Sequence, residues 1–219
     1  MLLQSKGDKI EVGIDEAGRG CLAGPVVAAA VVMPIIDFSE NCNDSEYELD
    51  ILRLIKDSKK MTKKNRAICK EYIEDIAIDF GVGIADSDEI DTMNILRATH
   101  KAMHRGLNNL NLTPDLILVD GNGFTDYYDD DNELVDHKCV IGGDNKYFNI
   151  SCASVLAKEY HDQIVKDYVK QQPELDEKYN WLSNVCYGTK SHLDGVEKFG
   201  LSKYHRKSFG ICKWLPVTC

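Results

Sequence analysis

Residues 13–25 read Gly-Ile-Asp-Glu-Ala-Gly-Arg-Gly-Cys-Leu-Ala-Gly-Pro and run directly into Val26-Val27-Ala28-Ala29-Ala30-Val31-Val32. No other stretch restricts the fold as strongly. Ile10, Val12 and Ile14 alternate with polar residues at the period of a strand. The apolar run that follows, bounded by Pro25 and Pro34, suits a fully buried second strand. Asp15 and Glu16 fall where the first strand ends, and Gly18, Gly20 and Gly24 follow within a few residues. Adjacent carboxylates on a strand point to opposite faces, so both reach one ion only if the backbone bends. Glycine permits that bend and lets a ligand approach the main chain closely. The stretch is a candidate metal or anion site, and its alternative is an ordinary hairpin with solvated acids.

At 219 residues the chain suits one large domain with a substantial core. Its hydrophobic content of 43% and charged content of 28% are those of a soluble globular protein. No apolar run approaches the ~20 residues needed to span a bilayer, and the first residues lack a secretory apolar region. A soluble, cytoplasmic monomer without membrane association is expected. Eight cysteines are scattered without any C-x-x-C, which predicts reduced thiols and argues against a zinc site. The net charge of −10 is concentrated in two tracts, 37–50 and 126–136, each with six acids and no Lys or Arg. Both read as surface loops or insertions. Basic residues cluster at Lys56–Arg66 and Lys198–Lys213, where a phosphate backbone could lie.

Along the chain, Thr62 reads as the N-cap of a helix over 63–79, with Ile68, Tyr72, Ile73 and Ile76 on one face. A strand is expected at 80–85 and one long helix from Ser87 through Leu107. His100 and His104 are spaced i,i+4 on that helix. They could share a ligand, though with no third donor nearby in sequence they read better as surface or groove-facing residues. The apolar strand 115–120 ends in Asp120-Gly121-Asn122, a usual place for a catalytic acid. A short strand near 139–141, a helix opening near Asn149 and a helix over 190–199 complete the pattern. Asp162 lies one turn beyond Lys158, a spacing that also suits a simple ion pair.

Taken together, Asp15-Glu16-Ala17-Gly18-Arg19-Gly20, Asp57-Ser58-Lys59-Lys60, Glu89-Ile90-Asp91, Asp120-Gly121-Asn122, Ser151–Lys158 and Tyr187-Gly188-Thr189 resemble, in order, the motifs of the ribonuclease HII family. The resemblance covers about residues 9–211. It departs at Cys21 and at Cys186, where the family has glycine before the tyrosine. It implies a single ribonuclease H-like α/β domain over 1–219: a mixed central sheet flanked by helices, with a small helical substrate-binding portion over about 180–219. It implies four catalytic, metal-holding acids, Asp15, Glu16, Asp120 and Asp162, with Asp15 shared between two ions. Four carboxylates without a His/Cys cluster suit Mg²⁺ or Mn²⁺. The implied substrates are RNA–DNA hybrids and duplex DNA carrying a single ribonucleotide, cut on its 5′ side to leave 3′-hydroxyl and 5′-phosphate ends. Such an enzyme excises misincorporated ribonucleotides and removes RNA primers. Gly18, Arg19 and Gly20 would read the 2′-hydroxyl and Tyr187 the next sugar. Lys59, Lys60, Lys146, Ser154, Lys158 and Arg206 complete the expected substrate contacts. Another metal nuclease on the same fold, or an inactive hybrid-binding module, are the alternatives.

Overall fold

A computed structural model of the chain describes residues 2–4, 7, 9–36, 46–55 and 61–218. Six strands form one mixed sheet: β1 (Glu11–Ala17), β2 (Val26–Val32), β3 (Asp79–Ala85), β4 (Leu116–Asp120), β5 (Tyr127–Tyr128) and β6 (Leu134–Val140), in the order β3-β2-β1-β4-β6-β5. The first three pair antiparallel, whereas β1–β4 and β4–β6 are parallel. This is the mixed sheet of a ribonuclease H-like fold. Lys59 and Lys60 lie outside the described residues, as does tract 37–50 up to residue 45. From residue 46 that tract forms helix α1 (Glu46–Leu54), which with Ile55 buries Ile51 and Leu52.

Strand alternation divides the core. Val12, Ile14, Ala28, Ala30, Ile117 and Val119 face helix α4 (Ile95–Asn108) with its Ala98, Ala102, Met103 and Leu107. Ala17, Ala29 and Val31 face α2 (Lys63–Ile76) and α5 (Phe148–Gln171). All seven residues of β2 are buried because both sides are covered. Three elements end differently from the expectation. Helix α2 begins after Thr62, whose hydroxyl accepts from Asn65 N at 3.2 Å, but stops at Ile76 because β3 already begins at Asp79. The long helix is two, α3 (Ser87–Met93) and α4, broken at Asn94. Its φ of +74° turns the chain while its side chain caps Leu96 N and Arg97 N. Tract 126–136 is a hairpin, β5–β6, with Tyr127 and Val135 buried beneath its acids.

The last part of the chain holds α6 (Glu174–Tyr179), α7 (Trp181–Asn184), α8 (Lys190–Phe199) and a 3₁₀ turn, Gly210–Trp214. Its core of Leu175, Tyr179, Trp181, Val196 and Leu201 also includes Cys21 and Ala23, from the loop after β1, and Val165 of α5. Helix α5 therefore packs on the sheet with its first half and on the C-terminal helices with its second.

Gly13 decides how closely α5 can approach. A Cβ there would stand 2.2 Å from the Asn149 carbonyl carbon and 2.3 Å from Ile150 N. Those are backbone atoms of α5, so no rotamer change could relieve the clash. Asn149 uses the close approach, donating from Nδ2 to the Glu11 carbonyl at 2.6 Å. Gly13→Ala is expected to cost about 2–3 kcal/mol of stability, roughly 5–10 °C in Tm. Calorimetry checks it: an unchanged midpoint would show that α5 does not rest on Gly13.

Candidate active site

Strands β1 and β4 are parallel with Ile14 opposite Val119. One register step further sets Asp15 beside Asp120, about 4.8 Å away across neighbouring strands. Both follow the alternation onto the α5 face. There the Ser154 hydroxyl hydrogen-bonds to Asp15, the Glu16 N–H donates to Asp15 Oδ1 at 2.7 Å, and the Gly143 N–H donates to Asp120 Oδ1 at 2.6 Å. Alternation directs Glu16 towards the α4 side, where its Oε1 accepts from Arg19 at 3.1 Å. Burial pushes the Asp15 carboxyl well above the ordinary carboxylate range, and the charges of Glu16 and then Asp120 push it further. Ser154 and the Glu16 N–H counter only part of this.

Asp162 is held differently. Strand β1 and helix α5 run alongside each other, touching at Gly13–Asn149, Asp15–Ser154 and Gly18–His161. Asp162 therefore stands eight residues past Ser154, about 12 Å along the helix, beside the glycine loop. It accepts from Lys158 Nζ at 2.8 Å, from His161 Nδ1 at 3.1 Å and from Arg66 at 3.3 Å. Burial works to raise this carboxyl, but the hydrogen bonds from His161 and Lys158 outweigh it and hold it below its ordinary value. Arg66, buried between Asp162 and Glu159 (2.6 Å), is a site residue that the sequence did not reveal. In the chain it looks like one more base of a solvated run. Asp144, buried next to Gly143, is a further acid beside the site.

The glycine loop is assembled by the C-terminal part. Arg206, expected to touch substrate, is 0% exposed. Its guanidinium donates to the carbonyls of Gly18 (2.7 Å), Arg19 (3.0 Å), Gly24 (2.9 Å) and Pro25 (2.8 Å). Five N–H groups in a rigid fork allow one side chain to gather four carbonyls. Gly18 has a φ of +84°, and a Cβ on it would lie 2.4 Å from the His161 ring. Arg19 and Gly20 are exposed on the outside of the turn. Cys21 pairs with Tyr187 as an isolated bridge, and Leu22 N donates to the Cys186 carbonyl at 2.9 Å. Tyr187 is thereby laid against the loop, with Lys158 Nζ 5.1 Å from its ring centre. Ser154 is buried beside Asp15, and its hydrogen bond orients that acid. Lys146 is exposed, its Nζ donating to the Ile141 carbonyl at 2.8 Å.

The turn that presents Tyr187 is strained. Val185 (φ +48°) and Cys186 (φ +66°) are both left-handed, a conformation costing of order 1–3 kcal/mol per residue. Asn184 supports it, accepting from Cys186 N at 3.0 Å and donating to the Tyr179 carbonyl at 2.7 Å. Beneath it two buried histidines form a chain with one consistent protonation pattern. Trp181 Nε1 donates to His192 Nε2 at 3.1 Å, so that nitrogen is an acceptor and His192 Nδ1 donates to the Tyr187 carbonyl at 3.0 Å. His205 Nε2 then donates to the same His192 Nε2 at 3.0 Å, and His205 Nδ1 accepts from Ser202 N and Oγ. Both rings are neutral. Burial lowers the His192 pKa, and burial followed by the charge of His192 brings that of His205 to about 3.

Asp15, buried near the end of β1, and the part-buried Asp120, at the end of the adjacent β4, sit on a mixed sheet with a glycine loop beside them, an arrangement that suits a phosphodiester hydrolase. The family model for ribonuclease HII matches residues 12–212. A ribonuclease HII of Christiangramia forsetii is 45% identical over 96% of both chains, and one of Bacteroides thetaiotaomicron is 42% identical over 93% of this chain and 91% of its own. The chain belongs to the ribonuclease HII family. Its fold is similar to that of ribonuclease H2 from Pyrococcus horikoshii, with a TM-score of 0.67, 23% identity and coverage of 93% and 95%. It is also similar to Bst ribonuclease HIII, crystallised with Mn²⁺, with a TM-score of 0.64, 18% identity and coverage of 93% and 68%. It is an enzyme that hydrolyses the RNA strand of RNA–DNA hybrids. Among the described residues no helix is long and apolar enough to cross a membrane.

A histidine with a folded pKa near 3 contributes its full stability above its free value of 6.5 and loses it as pH falls. Unfolding stability is expected to drop by about 3 kcal/mol between pH 6.5 and 4 through His205. His205→Gln should flatten that slope in urea titrations. The same slope in both proteins would contradict the neutral-pair assignment.

Proposed function

We propose that the chain also incises duplex DNA on the 5′ side of a single embedded ribonucleotide, leaving 3′-hydroxyl and 5′-phosphate ends, and that it serves ribonucleotide excision and primer removal. The observation that carries this reading is the seating of Asp15 and Asp120 on adjacent parallel strands beside the loop to which Tyr187 is pinned. Chemistry and sugar recognition then share one edge of the sheet.

Asp15, Glu16, Asp120 and Asp162 are the groups that would hold Mg²⁺ or Mn²⁺, two ions in the active complex. The donors fit: all are hard oxygens, and Asp15 is raised by burial and then by its acidic neighbours, a repulsion that a divalent cation would relieve. Among the described residues no three His, Cys, Asp or Glu are already gathered as a coordination cluster. Asp162, engaged by Arg66 and Lys158, has to be redirected for its part. When bound, the ions supply Lewis acidity to the scissile phosphate and its attacking water. The Mn²⁺ complex of the fold neighbour ribonuclease HIII supports the choice of metal.

The remaining steps belong to the chain. Ser154 and the Glu16 N–H fix the Asp15 carboxylate, and the Gly143 N–H fixes that of Asp120. Arg19 and Gly20, exposed on the turn, would bring the loop to a 2′-hydroxyl, the group that separates RNA from DNA. Tyr187 offers a ring for the following sugar, with Lys158 beside it towards a phosphate. Lys59 and Lys60, which lie outside the described residues, are proposed as phosphate contacts from their place in the sequence.

Cleavage of a DNA duplex carrying one ribonucleotide, with Mg²⁺ or Mn²⁺, tests the reading. Wild type should cut 5′ to the ribonucleotide, and Asp120→Asn should lose at least ~100-fold in rate. Cutting of long hybrids alone would overturn the junction assignment. Binding without cutting of either substrate would favour an inactive module.

A further inference from the structure

Among the described residues, His100 and His104, the i,i+4 pair on α4, are not joined by a third His, Cys, Asp or Glu as a metal cluster. Instead both reach the segment that leaves Asp120. His104 Nε2 stands 3.0 Å from the Thr125 carbonyl, which can only accept, so this nitrogen carries the proton. His100 Nδ1 is 2.7 Å from Thr125 Oγ1 and the ring makes a second hydrogen bond to the Gly123 backbone. Phe124 lies between them, its ring centre 5.2 Å from His104, 6.0 Å from His100 and 5.3 Å from His137. His104 also meets the buried Tyr127 edge-on at 5.5 Å. The five residues after Asp120 thus run across the face of α4. Gly121 and Gly123 have no heavy atom within 4 Å of where a Cβ would stand, so packing at those two positions does not hold the segment.

We propose that His100 and His104 are positioning residues for hydrolysis: they clamp residues 121–125 to α4 and so fix the end of β4 from which the Asp120 carboxylate reaches the site. The clamp works opposite Gly143, whose N–H holds the carboxylate itself. One side sets the backbone, the other the side chain. The inference rests on Asp120 being a catalytic acid. Displacement of such a group by a fraction of an ångström lowers the rate of the chemical step more than the affinity for substrate.

The test compares His104→Ala, His104→Gln, His104→Asn and His100→Asn in steady-state cleavage of an RNA–DNA hybrid, with Tm measured for each. Gln can bring an N–H to the place of Nε2, whereas Asn reaches only that of Nδ1. His104→Ala and His104→Asn should lower kcat about tenfold with KM within twofold, and His104→Gln should recover most of it. His100→Asn, able to meet Thr125 Oγ1, should stay close to wild type. A Thr125→Val variant removes the His100 partner without touching either histidine and should lower kcat severalfold, which keeps the test open if a histidine variant folds poorly. Equal losses for Gln and Asn at position 104, a rise in KM at constant kcat, or wild-type rates throughout would each overturn the clamp. Asp120→Asn in the same assay separates the two levels. If it stays active the acid assignment fails, and if it is inactive while all histidine variants match wild type only the clamp fails.

Discussion

The structure depends on one buried cation. Arg206 comes 182 residues after Gly24 in sequence, yet it closes four hydrogen bonds on the carbonyls that flank the glycine loop. A loop bent this sharply turns several carbonyls inward, and each would cost about 1–3 kcal/mol if buried without a donor. A single guanidinium satisfies them together, and no ammonium has the geometry to do so. Its own N–H donates to the Leu22 carbonyl, while Gly24 N donates to Tyr204 O. The C-terminal part is therefore the inner wall of the site and not an appendage to it.

The same wall carries Tyr187, and its support is electrically neutral. Trp181, His192, His205 and Ser202 form a donor–acceptor series in which every nitrogen has one role. A proton added to His192 would set N–H against N–H at 3.0 Å, and one added to His205 would set Nδ1–H against the Ser202 N–H at 2.9 Å. The series ends on the Tyr187 carbonyl, so the strained turn at Val185–Cys186 is held from below by groups that stay uncharged at neutral pH. On the other flank Asp15, Glu16 and Asp120 crowd negative charge, and Asp162 is compensated by Arg66 and Lys158. The repulsive acids thus stand on β1 and β4, and the compensated one on α5.

Much of this was legible in the residues. Strands β1, β2 and β4 follow from alternation and apolar runs, and the family from motifs that name the acids. What stayed hidden depends on three-dimensional pairing. Arg206 and Arg66 look like surface bases because burial of a charge is decided by partners far away in sequence. Asn94 sits inside an unbroken helical pattern, and only its left-handed backbone splits α3 from α4. The acidic tract 126–136 reads as a loop because its charges mask the strand period of Val135 and Tyr127. His100 and His104 read as surface or groove-facing residues, and the loop they meet is invisible without the fold. The position of Asp162 was legible, its engagement by Arg66 was not.

The central claim is that Asp15 and Asp120 form an oxygen-only site whose repulsion a divalent cation relieves. Calorimetric titration of Mn²⁺ into the free protein tests it without nucleic acid. Wild type should bind Mn²⁺, and Asp15→Asn, in which the carboxylate beside Asp120 is gone while the strand is unchanged, should lose that binding at least ~10-fold in affinity. Equal affinity in the two proteins would contradict the account and place any metal elsewhere.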